Sequence, residues 1–195
     1  MQHRPYKSYE EYVEHQKIKR GKPGVVEGLI AVREERIAAF SEIFRRFLTK
    51  RFRKNCSSAI CLGARLGEEV EALWRMKIKA TGVDLFEYLP WVIIGDFNQK
   101  LPFDDNSFTL VFSNSVDHIY DLPSWSQEVN RLLRPGGQIL VQLMLGRMGG
   151  FESIQVDSPQ EIVALFPGYS VIADVPYAGP AYDRVLVLQK PLNNN

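Results

Sequence analysis

Eight residues, Ile60-Cys61-Leu62-Gly63-Ala64-Arg65-Leu66-Gly67, do most to limit what this chain can fold into. A short apolar run, Ser58 to Leu62, ends there in a small-residue loop. An amphipathic pattern opens directly behind it, with Val70, Leu73, Trp74 and Ile78 at helical spacings. Strand, tight glycine turn and helix is the unit by which an α/β protein presents backbone N–H groups and a helix N-terminus to a ligand. Glu68 and Glu69 fall in the first helical turn, where the dipole favours anions.

The rest of the chain repeats the alternation. Ala80 to Asp84 reads as a second strand ending in an acid, and Val92 to Ile94 as a third, ending at Gly95-Asp96-Phe97. The turn-rich Pro102-Phe103-Asp104-Asp105-Asn106-Ser107 precedes Phe108 to Phe112, an almost continuous apolar run suited to a strand covered on both faces. Ser124 and Gln127 have capping-box spacing; Trp125, Val129, Leu132 and Leu133 then supply a helical face, stopped by Pro135-Gly136-Gly137. Ile139 to Leu145 is a fifth strand. A second capping box, Ser158 and Glu161 with Pro159 at the first helical position, opens a short helix ending at Pro167-Gly168. The runs Tyr169 to Val175 and Val185 to Leu188, with a Pro/Gly loop between them, are spaced for a closing antiparallel pair. Strands alternating with helices predict an α/β sandwich around a mostly parallel sheet.

Upstream of the first strand, Tyr6 to Arg20 is polar, a weak amphipathic helix with Tyr9, Tyr12, Val13 and Gln16 on one face, broken by Gly21-Lys22-Pro23-Gly24. Val25 to Phe52 is a stronger helical pattern through Leu29, Val32, Ile37, Phe40, Phe44, Phe47 and Leu48. Its end is basic, from Arg45 and Arg46 through Lys50, Arg51, Arg53 and Lys54. Such cations can touch phosphates, but they equally suit the negative end of a helix dipole. A net charge of +1 adds no pull toward nucleic acid or a membrane surface, and nucleic acid is not expected as a partner.

The 195 residues, 45% hydrophobic and 24% charged, are enough to bury a sizeable core. No apolar run nears the ~20 residues that span a bilayer. Cys56 and Cys61 flank one strand, about 16 Å apart at ~3.3 Å per residue, too far for a disulfide. That usage fits a reducing compartment, and the N-terminal residues are unlike a signal or transit peptide; the expectation is a cytoplasmic protein.

Ligands of such a sheet sit beyond the carboxyl ends of the strands. Those ends carry Gly63-Ala64-Arg65, Asp84, Asp96-Phe97 and Ser113-Asn114-Ser115. Asp84 follows Gly63 by 21 positions, and a carboxylate there can accept from two ribose hydroxyls. Asp96 can accept an exocyclic amine, and Phe97 can supply an apolar wall or a backbone N–H. After the fourth strand, His118 can take a proton near neutral pH with Asp117 orienting it, or can simply pack or cap at the loop. No metal is expected.

In this order, Ile-Cys-Leu-Gly-Ala-Arg-Leu-Gly, Gly82-Val83-Asp84, Gly95-Asp96-Phe97, Leu101-Pro102-Phe103-Asp104-Asp105-Asn106-Ser107-Phe108 and Leu133-Arg134-Pro135-Gly136-Gly137 resemble the class I S-adenosylmethionine-dependent methyltransferases, most of all the type 11 small-molecule group. The resemblance covers about residues 58–190. It implies a Rossmann-like three-layer sandwich, a seven-stranded mostly parallel sheet with the last strand antiparallel. It implies S-adenosyl-L-methionine as cofactor, with the methionine part over Gly63 to Gly67, the ribose on Asp84, and the adenine by Asp96 and Phe97. Leu85, Ser113 and Asn114 complete the cofactor set. The acceptor implied is a small molecule; the Asn-Pro-Pro-aromatic motif of nucleobase and amino methylation is absent, since Asn114 is followed by Ser115-Val116. Residues 56–195 form the cofactor-binding domain on this reading. Residues 1–55 form a helical cap, with Tyr6, Tyr9 and Tyr12 as candidate lid walls.

The first loop departs from the family form acid-x-Gly-x-Gly-x-Gly. Cys61 stands at the acid and Arg65 at the middle glycine, leaving Gly63 and Gly67. Two outcomes are open: Arg65 pairs with the methionine carboxylate, a charge-assisted contact, or it blocks the pocket and leaves a catalytically inactive binding protein. A nicotinamide-dependent oxidoreductase is the further rival. It is disfavoured because the turn reads Gly-x-x-x-Gly and leaves Asp96 and the Leu-Pro-Phe-Asp segment without a role.

Overall fold

The computed structural model describes residues 1–178 and 182–192, apart from the side chains of residues 19–21. In chain order the elements are β1 (Gln2–His3), α1 (Tyr9–Gly21), α2 (Val25–Ala31), α3 (Arg33–Phe47), α4 (Lys50–Asn55), β2 (Ser58–Leu62), α5 (Glu68–Arg75), β3 (Lys79–Asp84) and β4 (Val92–Ile94). There follow β5 (Phe108–Ser113), a 3-10 turn (Val116–His118), α6 (Leu122–Leu132), β6 (Leu133–Leu143), β7 (Ile154–Gln155), α7 (Pro159–Val163), β8 (Ser170–Pro176) and β9 (Arg184–Gln189).

Seven strands make one sheet in the order β4-β3-β2-β5-β6-β9-β8. Neighbours from β4 to β6 are parallel, and β9, the last in sequence, is antiparallel to both β6 and β8. The expected sheet and its closing pair are therefore present. The Pro/Gly loop joining β8 to β9 includes residues 179–181, outside the described residues. Alternation along the strands divides the core. Ile60, Leu62 and Val111 face α6, through Trp125 and Val129, on one side; Ala59, Cys61, Leu110 and Phe112 face α3 and α5 on the other. Phe112 takes the edges of Phe40 and Phe44 at centroid distances of 5.7 and 5.1 Å. Thus α3 belongs to the sandwich itself. No described helix is long and apolar enough to cross a membrane.

Local chemistry moves several boundaries. The single helix expected over Val25 to Phe52 is three, because the chain leaves helical geometry at Val32 and Leu48. Thr49 caps the third through Phe52 N at 3.1 Å, and Arg53 turns its guanidinium onto the carbonyl oxygens of Arg45, at 2.8 Å, and Leu48. Arg53 is thus a helix-end cation. α6 is capped by Asp121, not Ser124, because Pro123 takes the first turn and the Asp121 carboxylate accepts from Ser124 N and Oγ. Pro135-Gly136-Gly137 does not separate helix from strand: β6 starts at Leu133 and carries the triplet through a register shift against β5. There Gly137 has no room for a Cβ, which would lie 2.7 Å from the Leu133 side chain. Trp74 is 47% exposed rather than buried, its indole N–H donating to Ala80 O at 2.8 Å. The Ser158–Glu161 capping box is present, although α7 ends at Val163, before Pro167.

Candidate active site

The turn after β2 is closed by main-chain bonds. Gly63 N and Ala64 N both donate to Val83 O, at 2.9 and 3.2 Å, and Gly67 N donates to Ala64 O at 2.6 Å. Gly63 has φ +79°, and a Cβ there would lie 2.5 Å from Ser115 Oγ. Only glycine fits without moving the strand end opposite. Gly67, at φ +71°, is the N-cap of α5 against Trp91. Arg65 also adopts left-handed backbone, φ +44°, a conformation costing a non-glycine residue ~1–2 kcal/mol. Its N–H is held by Asp84 Oδ2 at 2.9 Å.

Two ion pairs brace this turn from α3. Arg33 bonds Glu71 at 2.5 Å and reaches Leu66 O, and Arg36 bonds Glu68 at 2.7 Å. Beside them Glu69 is buried, and desolvation, with the neighbouring Glu68 charge, pushes its carboxyl up to about 8. Cys61 is buried on the α3 side, where desolvation holds the thiol well above its ordinary value. It is a neutral packing residue.

A cavity of about 280 Å³ lies at the carboxyl ends of the strands. It brings together Gly63, Arg65, Asp84, Leu85, Phe97, Asn114, Asp117 and His118. Ala64, Gly67, Asp96 and Ser113 are not in its lining. Ala64 is buried; Ser113 donates its hydroxyl to Leu62 O at 3.1 Å. Asp96 is engaged by the N-terminal segment: Oδ2 accepts from the Tyr9 hydroxyl, and Oδ1 from Asn98 N at 2.9 Å and Nδ2 at 3.1 Å.

The opposite wall comes from the N-terminal helices, with Tyr12 and Gln16 of α1 and Val25, Val26 and Leu29 of α2. Burial, then the Asp96 bond, raises the Tyr9 phenol, and burial foremost raises that of Tyr12, so both stay protonated donors. Tyr12 donates to His118 O at 2.9 Å, and Gln16 donates to Phe151 O and Ser153 Oγ at 3.0 and 3.1 Å. Arg4 donates to Glu152 O at 2.9 Å, and β1 pairs with β7.

His118 is fixed at one nitrogen. Nδ1 lies 3.0 Å from Phe151 O, and a carbonyl only accepts, so Nδ1 carries the hydrogen. Nε2 lies 3.7 Å from Asp117 Oδ2. The donor atoms of Asp117, His118 and Glu152 all lie within 4.8 Å of one another.

Sequence reasoning missed Val25, Val26, Phe86, Met144, Glu152 and Tyr182 among the lining residues, named Gln16 only as a position on a helical face, and took Leu29 for a core position. Met144 and Glu152 had a usable signal, since Met144 stands at the carboxyl end of the predicted strand Ile139 to Leu145 and Glu152 just after the glycine-rich segment Gly146-Arg147-Met148-Gly149-Gly150 that follows it. Tyr182, pushed up to about 12 by burial, had none, because only the β8–β9 return brings it over the cavity.

A family model described as a methyltransferase domain matches residues 46–141. An uncharacterized protein, YafE, of Escherichia coli is 44% identical over 46 residues, a match spanning 23% of this chain and 22% of that protein. A 1,6-didemethyltoxoflavin-N1-methyltransferase of Burkholderia thailandensis, solved with 1,6-didemethyltoxoflavin and S-adenosylhomocysteine, superposes with TM-score 0.73 at 14% identity over 96% of this chain and 92% of that one. A methyltransferase of Thermotoga maritima described as a possible histamine N-methyltransferase gives 0.62 at 15% over 92% and 99%, and one of Aquifex aeolicus 0.60 at 15% over 91% and 97%. Loop, strand order and cavity give this chain the fold of the S-adenosylmethionine-dependent methyltransferases, with a methyltransferase domain matched over residues 46–141.

Proposed function

We propose that this protein transfers the methyl group of S-adenosylmethionine to a small-molecule acceptor held beside His118. The observation that carries this is one cavity joining the Gly63–Arg65 turn and Asp84 to the Asp117–His118 turn. The residues fit the cofactor. Gly63 leaves a cradle that a Cβ would fill, Asp84 brings a carboxylate, an acceptor for ribose hydroxyls, to the cavity wall, and Arg65 brings a cation for a carboxylate. Leu85 and Phe97 give apolar walls for a nucleobase, with Asn114 at the methionine side. Asp96, next to Phe97, is assigned to the adenine amine, with Ala64, Gly67 and Ser113 shaping the strand ends around the ligand.

S-adenosylmethionine supplies an electrophilic methyl group on a sulfonium. The chain's own part is to align a nucleophile with that methyl group and exclude water, which proximity alone makes worth several kcal/mol. His118 takes the acceptor's proton at Nε2, and Asp117 stabilises the imidazolium that results. The cover we propose is α1 and α2, narrower than residues 1–55, because α3 packs into the sheet. A cavity of this size suits a small acceptor, as in the Burkholderia enzyme with its bound 1,6-didemethyltoxoflavin.

The test is transfer of labelled methyl from S-adenosylmethionine to a panel of small heteroaromatic N–H and O–H acceptors. Incorporation that falls ~10²-fold or more in His118→Gln supports the assignment. Donor binding with no transfer to any acceptor contradicts it.

A further inference from the structure

Asn98 lies behind the cavity wall, bonded to both the Asp96 carboxylate and the Tyr12 hydroxyl of α1. It is buried, and both N–H groups of its amide are committed: one to Asp96 Oδ1 at 3.1 Å, the other to the Tyr12 hydroxyl at 2.7 Å. Its Oδ1 accepts the N–H of Tyr120 at 2.8 Å, so a flipped amide would set N–H against N–H. Tyr12, itself 2% exposed, passes its one hydroxyl hydrogen to His118 O at 2.9 Å. Every bond in the series Asp96–Asn98–Tyr12–His118 therefore has a single direction. It runs from a carboxylate on the loop after β4, through the cover helix, to the turn that carries His118.

We propose that Asn98 is a positioning residue that couples the nucleoside end of this cavity to its acceptor end. The proposal rests on the roles given above to Asp96 and His118. An amine donating to Asp96 competes with Tyr9 and Asn98 for the same two oxygens and shifts their hold on them. The Asn98 amide cannot turn alone, since each of its buried polar atoms would lose its partner. It moves with Tyr12 and Tyr120, and the 116–120 turn moves with them. His118 then reaches its working position only with the nucleoside in place, and the cofactor binds ahead of the acceptor.

The test uses adenosine, which carries the nucleoside and no methionine. The chain has three histidines, so the His118 imidazole signal can be followed by NMR and assigned by its loss in His118→Asn. Saturating adenosine is expected to shift that signal in the parent protein and in Tyr6→Phe, whose hydroxyl bonds His15 and Ser153 instead. In Tyr12→Phe the shift is expected to vanish, while calorimetry finds adenosine bound within about fivefold of the parent. Asn98→Ser cuts the series at a second link and is expected to behave the same way. An undiminished shift in either folded variant overturns the coupling, as does a parent that binds adenosine with an unmoved His118. A parent that binds no adenosine removes the nucleoside site itself, and the coupling with it.

Discussion

The main-chain N–H of Arg65 donates to Oδ2 of Asp84 at 2.9 Å, tying the first turn of the site to the end of the neighbouring strand. The bond holds a non-glycine residue at φ +44° beside a carboxylate proposed for the ribose. Replacing Arg65 by Gly is expected to remove the left-handed backbone cost and leave stability unchanged or higher by up to ~1 kcal/mol. Loss of the guanidinium from the methionine carboxylate is expected to weaken S-adenosylhomocysteine binding by ~1.5–3 kcal/mol. Thermal melting and calorimetry on the one variant would give opposite signs. Tighter binding in Arg65→Gly would mean that the side chain obstructs the pocket.

Gly63→Ala places a Cβ 2.5 Å from Ser115 Oγ at a backbone angle that alanine disfavours. A loss of ~1–3 kcal/mol in unfolding free energy is expected from the strain alone, together with loss of cofactor binding. Urea denaturation measures the first and calorimetry the second.

Tyr9→Phe removes the phenol that bonds Asp96 and leaves the ring among Tyr12 and Tyr120. A loss of about 1–2 kcal/mol is expected, concentrated in the docking of α1. Hydrogen exchange should quicken in residues 9–18 and stay unchanged in β5. Uniform quickening across the sheet would show that α1 is no separate cover.

Glu69 sets a pH dependence. Its carboxyl is raised from 4.5 to about 8 by burial, so between those values the folded state binds more protons than the unfolded chain. The stability contributed by the protonated form is whole below about pH 4.5 and is lost as the pH rises through about 8. Glu69→Gln is expected to flatten the decline of melting temperature over that range and to exceed the parent at pH 8. An unchanged slope would assign the decline to another group.

The sheet was legible because its strands are written as short apolar runs between turn formers, and Ser58–Leu62 and Val92–Ile94 emerge with the bounds read from sequence. Helix limits were less so. Asp121 outranked Ser124 as a cap only because Pro123 lies between them, and Leu133 begins a strand because β5 offers it partners. At the site, Asp84 and His118 were visible as polar residues at strand ends. The place of Asp96 was not, because the Tyr9 hydroxyl that engages it comes from 87 residues away. Tertiary contacts of that kind leave no local periodicity to read.

The central claim is that this cavity is an S-adenosylmethionine site built around Asp84. Calorimetric titration of the full chain with S-adenosylhomocysteine tests it most directly. One saturable site is predicted in the parent, with binding lost in Asp84→Ala while circular dichroism shows that variant folded. No binding to the parent at millimolar ligand, or equal binding to Asp84→Ala, would contradict it.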